Sequence, residues 1–281
     1  MLQAASPGKL SAQTRLLRPL PTAWEIELKI LVTFALENEF APWRKLRKFQ
    51  RVPADSWDKK FVTRVGDADV RVILTGAGRF ASQRAMDEAF NEVPDACIVS
   101  GLAGALKADY LPGQVLAARS VANLTGARVL RSDAELVSRA TRSGAKVADR
   151  FLVSDRVIAT AAEKQQHSAC GDAVDMESLW VLAAAEQRSV RAVVIRAISD
   201  AADADLPLEF DRIFNGKGSV SLAKVIGQLV RKPKRIGGLL RLANDSERAA
   251  GALALFLDAY IQSLSSQPLD DLAQAEALAA N

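Results

Sequence analysis

The chain has 281 residues, 49% hydrophobic and 25% charged, with 37 basic and 33 acidic side chains giving a net charge of +4. This is the profile of a globular chain with ample material for a core; the mild positive excess does not by itself imply nucleic acid, and no run of about 18 apolar residues is present to span a bilayer. The two cysteines, Cys97 and Cys170, lack CxxC spacing, which points to reduced thiols in a cytoplasmic chain.

Residues 1–27 carry Lys9, Arg15 and Arg18 but no apolar stretch, so a flexible extension is expected there rather than a secretory signal. Short apolar runs rich in β-branched residues follow at 28–34, 70–76, 96–100, 113–121, 150–154 and 191–198. Between them, stretches with helical spacing cover 79–92, 132–146, 161–170 and 176–189. Alternating strands and helices predict an α/β fold. The strands are apolar at consecutive positions, which predicts burial on both faces. After about residue 204 the strands stop. Helices are expected at 217–230 and 245–264, separated by the basic stretch "RKPKRIGGLLRLAND", and residues 265–281 read as a weakly anchored tail.

One histidine and two scattered cysteines make a metal site or a Ser–His–Asp arrangement an unpromising reading, and His167 falls in a polar helical stretch. Acid–base chemistry would therefore fall to carboxylates. Three stand at strand ends or helix starts: Glu39, Glu177 and Asp200. In open α/β sheets ligands bind beyond the carboxyl ends of strands, although each acid taken singly is equally a helix cap or a first-turn acid. Two glycine clusters, "TGAGR" (75–79) and "SGLAGAL" (100–106), read as tight strand-to-helix turns whose amides approach an anion or a ribose. Neither is a GxGxxG or P-loop motif.

The order of these features, with "VDMES" (174–178) opening a buried helix and "VIRAISD" (194–200) closing a later strand, resembles the nucleoside phosphorylase superfamily, in particular its nucleosidase branch. The resemblance runs over about 28–230. It implies a three-layer α/β/α sandwich with a mixed central sheet, an enzyme acting on a purine nucleoside, and no cofactor beyond phosphate as a candidate co-substrate. Met176 would pack on the sugar and Glu177 accept its 2′- and 3′-hydroxyls, with Asp175 behind them. Asp200 would be the general acid at purine N7, with a pKa raised by burial, and Glu39 the group that activates water. Gly78, Gly101, Ala103, Gly104, Val157, Ile158 and Ser199 would line the substrate site, and Arg196 would order its wall.

Departures accompany the resemblance. Where phosphorylases of this superfamily hold phosphate in the second glycine turn, this chain has Val99 and Leu102, so water is favoured as nucleophile. Arg79 and Ser82 at the next helix start, and Arg196, are the candidates for anion contacts. Where nucleosidases stack a phenylalanine on the purine, Val157 and Ile158 stand.

"GLAGAL", "SDRVIATAAEK", "AVDMESLWVLAAA" and "RKPKRIGGLLRLANDSERAAGALALF" are similar to the hopanoid-associated nucleoside phosphorylase subfamily. That similarity implies adenosylhopane as substrate. It also gives the basic segment 231–242 a reading as a peripheral contact with the inner face of a membrane, against a solvated loop leading into a packed helix. A small-molecule nucleoside partner, lipid-linked in that case, and a homo-oligomer are expected; nucleic acid is not. The alternatives are a methylthioadenosine/S-adenosylhomocysteine nucleosidase, or a catalytically silent relative that only binds nucleosides. Retention of Glu39, Glu177 and Asp200 together favours an enzyme.

Overall fold

A computed structural model of the chain describes residues 27–52, 59–207 and 236–266. The consecutive apolar residues of the predicted strands divide between two cores. In β1 (Leu28–Phe34), Ile30, Val32 and Phe34 enter one core and Leu31 the other. The same alternation holds in β4 (Ala68–Leu74), β5 (Ala96–Ala105) and β10 (Arg191–Asp200). A strand's period of two sends neighbours to opposite faces, so a continuous apolar run is what a doubly covered sheet requires. Helices α1 (Glu37–Leu46), α3 (Ala134–Arg142) and α6 (Ile236–Ser265) cover the first face. Helices α2 (Arg79–Ala89) and α5 (Ser178–Glu186) cover the second. Between α3 and α5 the chain also forms β8 (Lys146–Val153), the short helix α4 (Ala161–His167) and β9 (Ala173–Asp175).

β4, β1, β5 and β10 run parallel, in that order. From β1 the chain moves out to β4 on one side and returns to β5 on the other, so β1 lies at a switch point, where open α/β sheets bind ligands. The antiparallel β2 (Gln50–Val52) and β3 (Lys59–Val65) extend the β4 edge.

At the other end the sheet closes on itself. β10 pairs with β6 (Val115–Asn123), β6 with β8, β8 with β9, and β9 returns to β5. β7 (Val129–Arg131) hangs on β6. One edge of β5 is consequently shared: β1 pairs with Ala96–Val99 and β9 with Gly104–Ala105. The stretch between those pairings has no strand neighbour on that edge.

The α/β layering and mixed sheet agree with the sequence; several details do not. The second glycine cluster is no strand-to-helix turn: Gly101 and Gly104 lie inside β5, which leads to β6. The helical spacing read over 132–146 ends at Arg142, and β8 begins at Lys146. β2, β3, β7 and β9 escaped notice because three of them are three residues long and β3 alternates with charged residues. α6 begins at Ile236, so part of the basic stretch is already helix. The extension 1–26, the expected helix 217–230, residues 231–235 and the tail from 267 lie outside the described residues. No helix among the described residues is long and apolar enough to cross a membrane.

α6 is fastened to α1. Asp258 accepts from Trp43 Nε1 at 3.3 Å and pairs with Arg47, whose Nη2 lies 2.8 Å from Oδ2. Tyr260 donates to the Leu136 carbonyl at 2.9 Å. Leu253, Leu257, Ile261 and Leu264 are buried, at the spacing of a helix face. Leu257→Ala is expected to destabilise the protein by about 2–5 kcal/mol, whereas Leu240→Ala, at a position 60% exposed, should change stability by less than about 0.5 kcal/mol. Urea denaturation of the two variants checks this; equal midpoints would show that α6 is not part of the core.

Candidate active site

At the carboxyl ends of the parallel strands lies a cavity of about 230 Å³. Glu39, Ala103, Gly104, Val157, Ile158, Met176, Glu177, Ser199 and Asp200 all line it. Leu36, Leu102, Arg156, Leu206, Leu242 and Ser246 complete much of the wall. A larger cavity of about 720 Å³ opens at the amino ends of the strands around Lys29, Thr63 and Arg71 and includes none of these residues.

One end of the site is built on Arg196, which is 1% exposed. Its Nε lies 3.1 Å from Asp175 Oδ2, and its Nη2 lies 3.6 Å from Glu177 Oε2. Asp175 is the last residue of β9, and its Oδ1 accepts from the backbone N–H groups of Glu177 and Ser178, both at 3.0 Å. It thus caps α5 and holds Arg196 at once, while the Ser178 hydroxyl donates to its Oδ2. Glu177, at the N-cap of α5, accepts from Gly78 N at 2.8 Å. Gly78 has φ +83° and Gly76 φ +77°, left-handed values that favour glycine at the turn into α2.

Glu39 reaches the same cluster from the first turn of α1. Its Oε2 accepts from the N–H groups of Ala35 (2.9 Å) and Leu36 (3.0 Å), and its Oε1 accepts from Leu102 N at 3.2 Å. That last donor is free because β5 has no strand partner there. α1 is held down by the ring cluster of Phe34, Phe40, Trp43, Phe49 and Phe61. Gly101, at φ +142°, leaves room for the arginine: a Cβ would stand 2.2 Å from Arg196 Nη1 and 3.2 Å from both Glu39 oxygens. Nη1 itself is buried with no hydrogen-bond partner among the described residues.

Burial raises Glu177 and Glu39 above the usual carboxylate range; Arg196 opposes the shift in both, and the neighbouring Asp175 and Glu39 add to it in Glu177.

The other end of the site is Asp200, the last residue of β10. Ser199 Oγ lies 2.6 Å from its Oδ1 and Lys164 Nζ 2.6 Å from its Oδ2. Both carboxyl oxygens of Asp200 therefore have a partner. Lys164 escaped the sequence reading because "EKQQH" looks polar throughout; the signal was the capping box of Thr160 and Glu163, which fixes the helix start and turns Ala161 and Lys164 inward.

Four other expectations are corrected. Arg79 does not line the cavity; its guanidinium stands 4.6 Å from the centre of the Trp180 ring. Ser82 donates back to the Gly78 carbonyl at 2.9 Å. Arg196 does not line the cavity, and its Nε and Nη2 face Asp175 and Glu177. Gly78 and Gly101 do not line the cavity either: Gly78 gives Glu177 a donor, and Gly101 leaves space for Arg196 beside Glu39. His167 is half-buried away from the cavity, and the cysteines are unpaired, Cys97 buried and Cys170 exposed.

The fold is shared with solved nucleosidases. A futalosine hydrolase mutant of Helicobacter pylori superimposes with a TM-score of 0.65 at 16% identity, covering 84% of this chain and 100% of that one. A mutant H. pylori nucleosidase with 5′-methylthioadenosine in its active site gives 0.67 at 16% identity, covering 85% and 100%. The 5′-methylthioadenosine/S-adenosylhomocysteine nucleosidase of Neisseria meningitidis gives 0.63 at 20%, covering 84% and 99%. No curated protein sequence matches the chain. The family model of the phosphorylase superfamily matches residues 29–231, the span that carries both ends of the site, and the chain belongs to that superfamily.

Proposed function

We propose that the protein hydrolyses the N-glycosidic bond of a 5′-substituted adenosine and releases adenine. The reading rests on one observation: Glu39, Glu177 and Asp200 line a single cavity at the strand carboxyl ends. The relative that holds 5′-methylthioadenosine supports the class of substrate.

In this reading the sugar lies on Met176 with its 2′- and 3′-hydroxyls donating to Glu177, whose lone pairs are not exhausted by the Gly78 N–H. The purine lies toward Ser199 and Asp200, packed by Val157 and Ile158. As the C1′–N9 bond breaks, its electron pair passes to the purine; Asp200, which takes up a proton from solvent as substrate binds, gives that proton to N7 and is left as the carboxylate paired with Lys164. The ribosyl group becomes oxocarbenium-like beside three carboxylates that share one guanidinium, a preorganised negative surrounding in a buried wall. Glu39 takes a proton from the attacking water, with Arg196 Nη1 as the adjacent unused donor.

Water is favoured over phosphate because, among the described residues, cations that face the cavity are scarce. Arg156 lines it but pairs with Glu163 at 2.7 Å. Arg196 and Arg79 are engaged elsewhere. Val99 is buried, and Leu102 presents only an apolar side chain to the cavity.

A lipid-linked substrate such as adenosylhopane is favoured by the wall at the α6 end. Leu36, Leu102, Leu206 and Leu242 make it apolar. Leu242 belongs to the first turns of α6, next to exposed Leu240 and Arg241. An apolar 5′ substituent leaving along these leucines would emerge where a helix start carrying leucine and arginine can rest on an anionic bilayer.

Purified protein is expected to release adenine from at least one of adenosine, methylthioadenosine and adenosylhopane without phosphate. Asp200→Asn should lower kcat roughly 10²- to 10⁴-fold with nucleoside binding largely kept. Strict phosphate dependence would overturn hydrolysis, and full activity in the variant would remove Asp200 from the mechanism.

Glu177→Gln separates function from stability. A carboxyl whose folded pKa lies above its unfolded value loses stability for the fold as pH rises from the ordinary carboxylate range through its own raised range. At neutral pH the variant should therefore melt above the wild type while binding ribose poorly, and the melting difference should shrink as pH falls below about 4. Thermal melts at pH 7.5 and 3.5 read this directly; a variant that melts lower at neutral pH contradicts it.

Membrane contact predicts that Leu240→Glu/Arg241→Gln co-sediments with phosphatidylserine vesicles less than the wild type, and that salt weakens wild-type recovery. Equal recovery of the two proteins would refute the contact.

A further inference from the structure

Lys164 takes no part in the reaction described above, yet its side chain is completely buried. Its ammonium meets Asp200 Oδ2 at 2.6 Å, the Ala201 carbonyl at 2.7 Å and the Ala204 carbonyl at 3.0 Å. An ammonium has three N–H bonds, so every one is used. Burying a cation is unfavourable unless it is paired and hydrogen-bonded. A methionine would fill comparable space without that penalty, so packing alone does not account for the lysine.

We propose that Lys164 is a positioning residue that fixes both the orientation and the charge of the Asp200 carboxyl in the resting enzyme; this rests on the assignment of Asp200 to the purine end of the cavity. The carboxyl is gripped from two sides, by Lys164 on Oδ2 and by Ser199 on Oδ1. Gly104 keeps the approach open, since a Cβ there would stand 3.0 Å from Oδ2. The same ammonium ties the acid to the segment that follows β10. That segment is also held at the start of α4, by Leu206 N to the Ala159 carbonyl at 2.7 Å and by Ala161 N to Asp205 Oδ1 at 2.8 Å. α4 thus sets the acid and the backbone beyond it as one unit.

Other charged groups surround the cavity or flank the acid. Glu39 comes from α1, Asp175 from β9 and Glu177 from the start of α5. Arg196 lies on β10 itself, Arg156 before α4, and Asp203 and Asp205 after β10. Among the described residues only Lys164 forms an ion pair with Asp200.

The test is a carboxyl ¹³C NMR titration of Asp200, assigned with Asp200→Asn, in the wild type and in Lys164→Met. An opposite charge in contact lowers a carboxyl titration by about one to three pH units, so the titration should move up by about one unit or more in the variant. The kcat for adenine release should fall about tenfold or more, with KM changed much less. Lys164→Arg keeps the charge but not the three-point geometry; its Asp200 should titrate near the wild-type value although kcat falls. Lys164→Gln supplies the same comparison in a second uncharged background. A merely structural lysine would lower the melting temperature and leave the kcat of the folded protein in place. An identical Asp200 titration in the wild type and the uncharged variants overturns the proposal, whether or not adenine is released. A shifted titration in a protein that cleaves none of the adenosine derivatives sustains it and overturns the assigned reaction instead.

Discussion

A buried guanidinium among acids is the constraint on which the rest of the site depends. Arg196 is almost wholly buried, and its neutralisation has to be assembled from elements far apart in the chain: Asp175 from β9, Glu177 at the start of α5 and Glu39 from α1. The contact with Asp175, at 3.1 Å, is the close ion pair of the cluster, and Glu177 at 3.6 Å and Glu39 add negative charge around it. The same cluster accounts for two carboxylates at the mouth of an apolar helix. Asp175 caps the helix and grips the arginine; Glu177 is left with an oxygen-rich edge on the cavity.

The sheet makes room for that cluster by giving one edge of β5 to two partners. β1 leaves it after Val99 and β9 joins at Gly104. The backbone between them has donors with no ladder to satisfy them, and a buried N–H without an acceptor is unfavourable. Leu102 N finds Glu39. Closure of the barrel end of the sheet and placement of Glu39 are therefore one structural event. A sheet that stayed open along β5 would pair Leu102 with another strand and take that donor away from Glu39.

Much of this was legible because it is written in short-range patterns. Continuous apolar runs gave β1, β4, β5 and β10, and the acids that follow such runs gave Glu39, Glu177 and Asp200, all of which meet in one cavity. What escaped depends on pairing over long distances. β9 is three residues long and acquires meaning only by bridging β8 and β5. Gly101 looked like a turn glycine, whereas its role is to admit Arg196 from a strand 95 residues later. Lys164 was hidden because the partners that make it interior, Asp200 and the carbonyls beyond, are contributed by a later strand. Arg79 looked available at a helix start, but α5 places the Trp180 ring beside it.

The two ends of the cavity carry opposite electrostatic characters. At the end proposed to hold the sugar three carboxylates surround one guanidinium, and burial raises Glu177 and Glu39 above the usual carboxylate range. At the purine end a single carboxylate is matched by a lysine whose three protons are all engaged. Heterolysis of a glycosidic bond moves electrons from the sugar to the base, leaving positive charge on one and negative charge on the other. In the proposed orientation the cation forms beside the acids around Arg196, and the departing purine takes its proton from Asp200, whose resulting carboxylate is met by the Lys164 ammonium behind it. In that reading the negative surrounding of the sugar and the proton supplied to the base by Asp200 both act on the charge-separated transition state rather than on the neutral substrate, which is the differential interaction that accelerates a reaction.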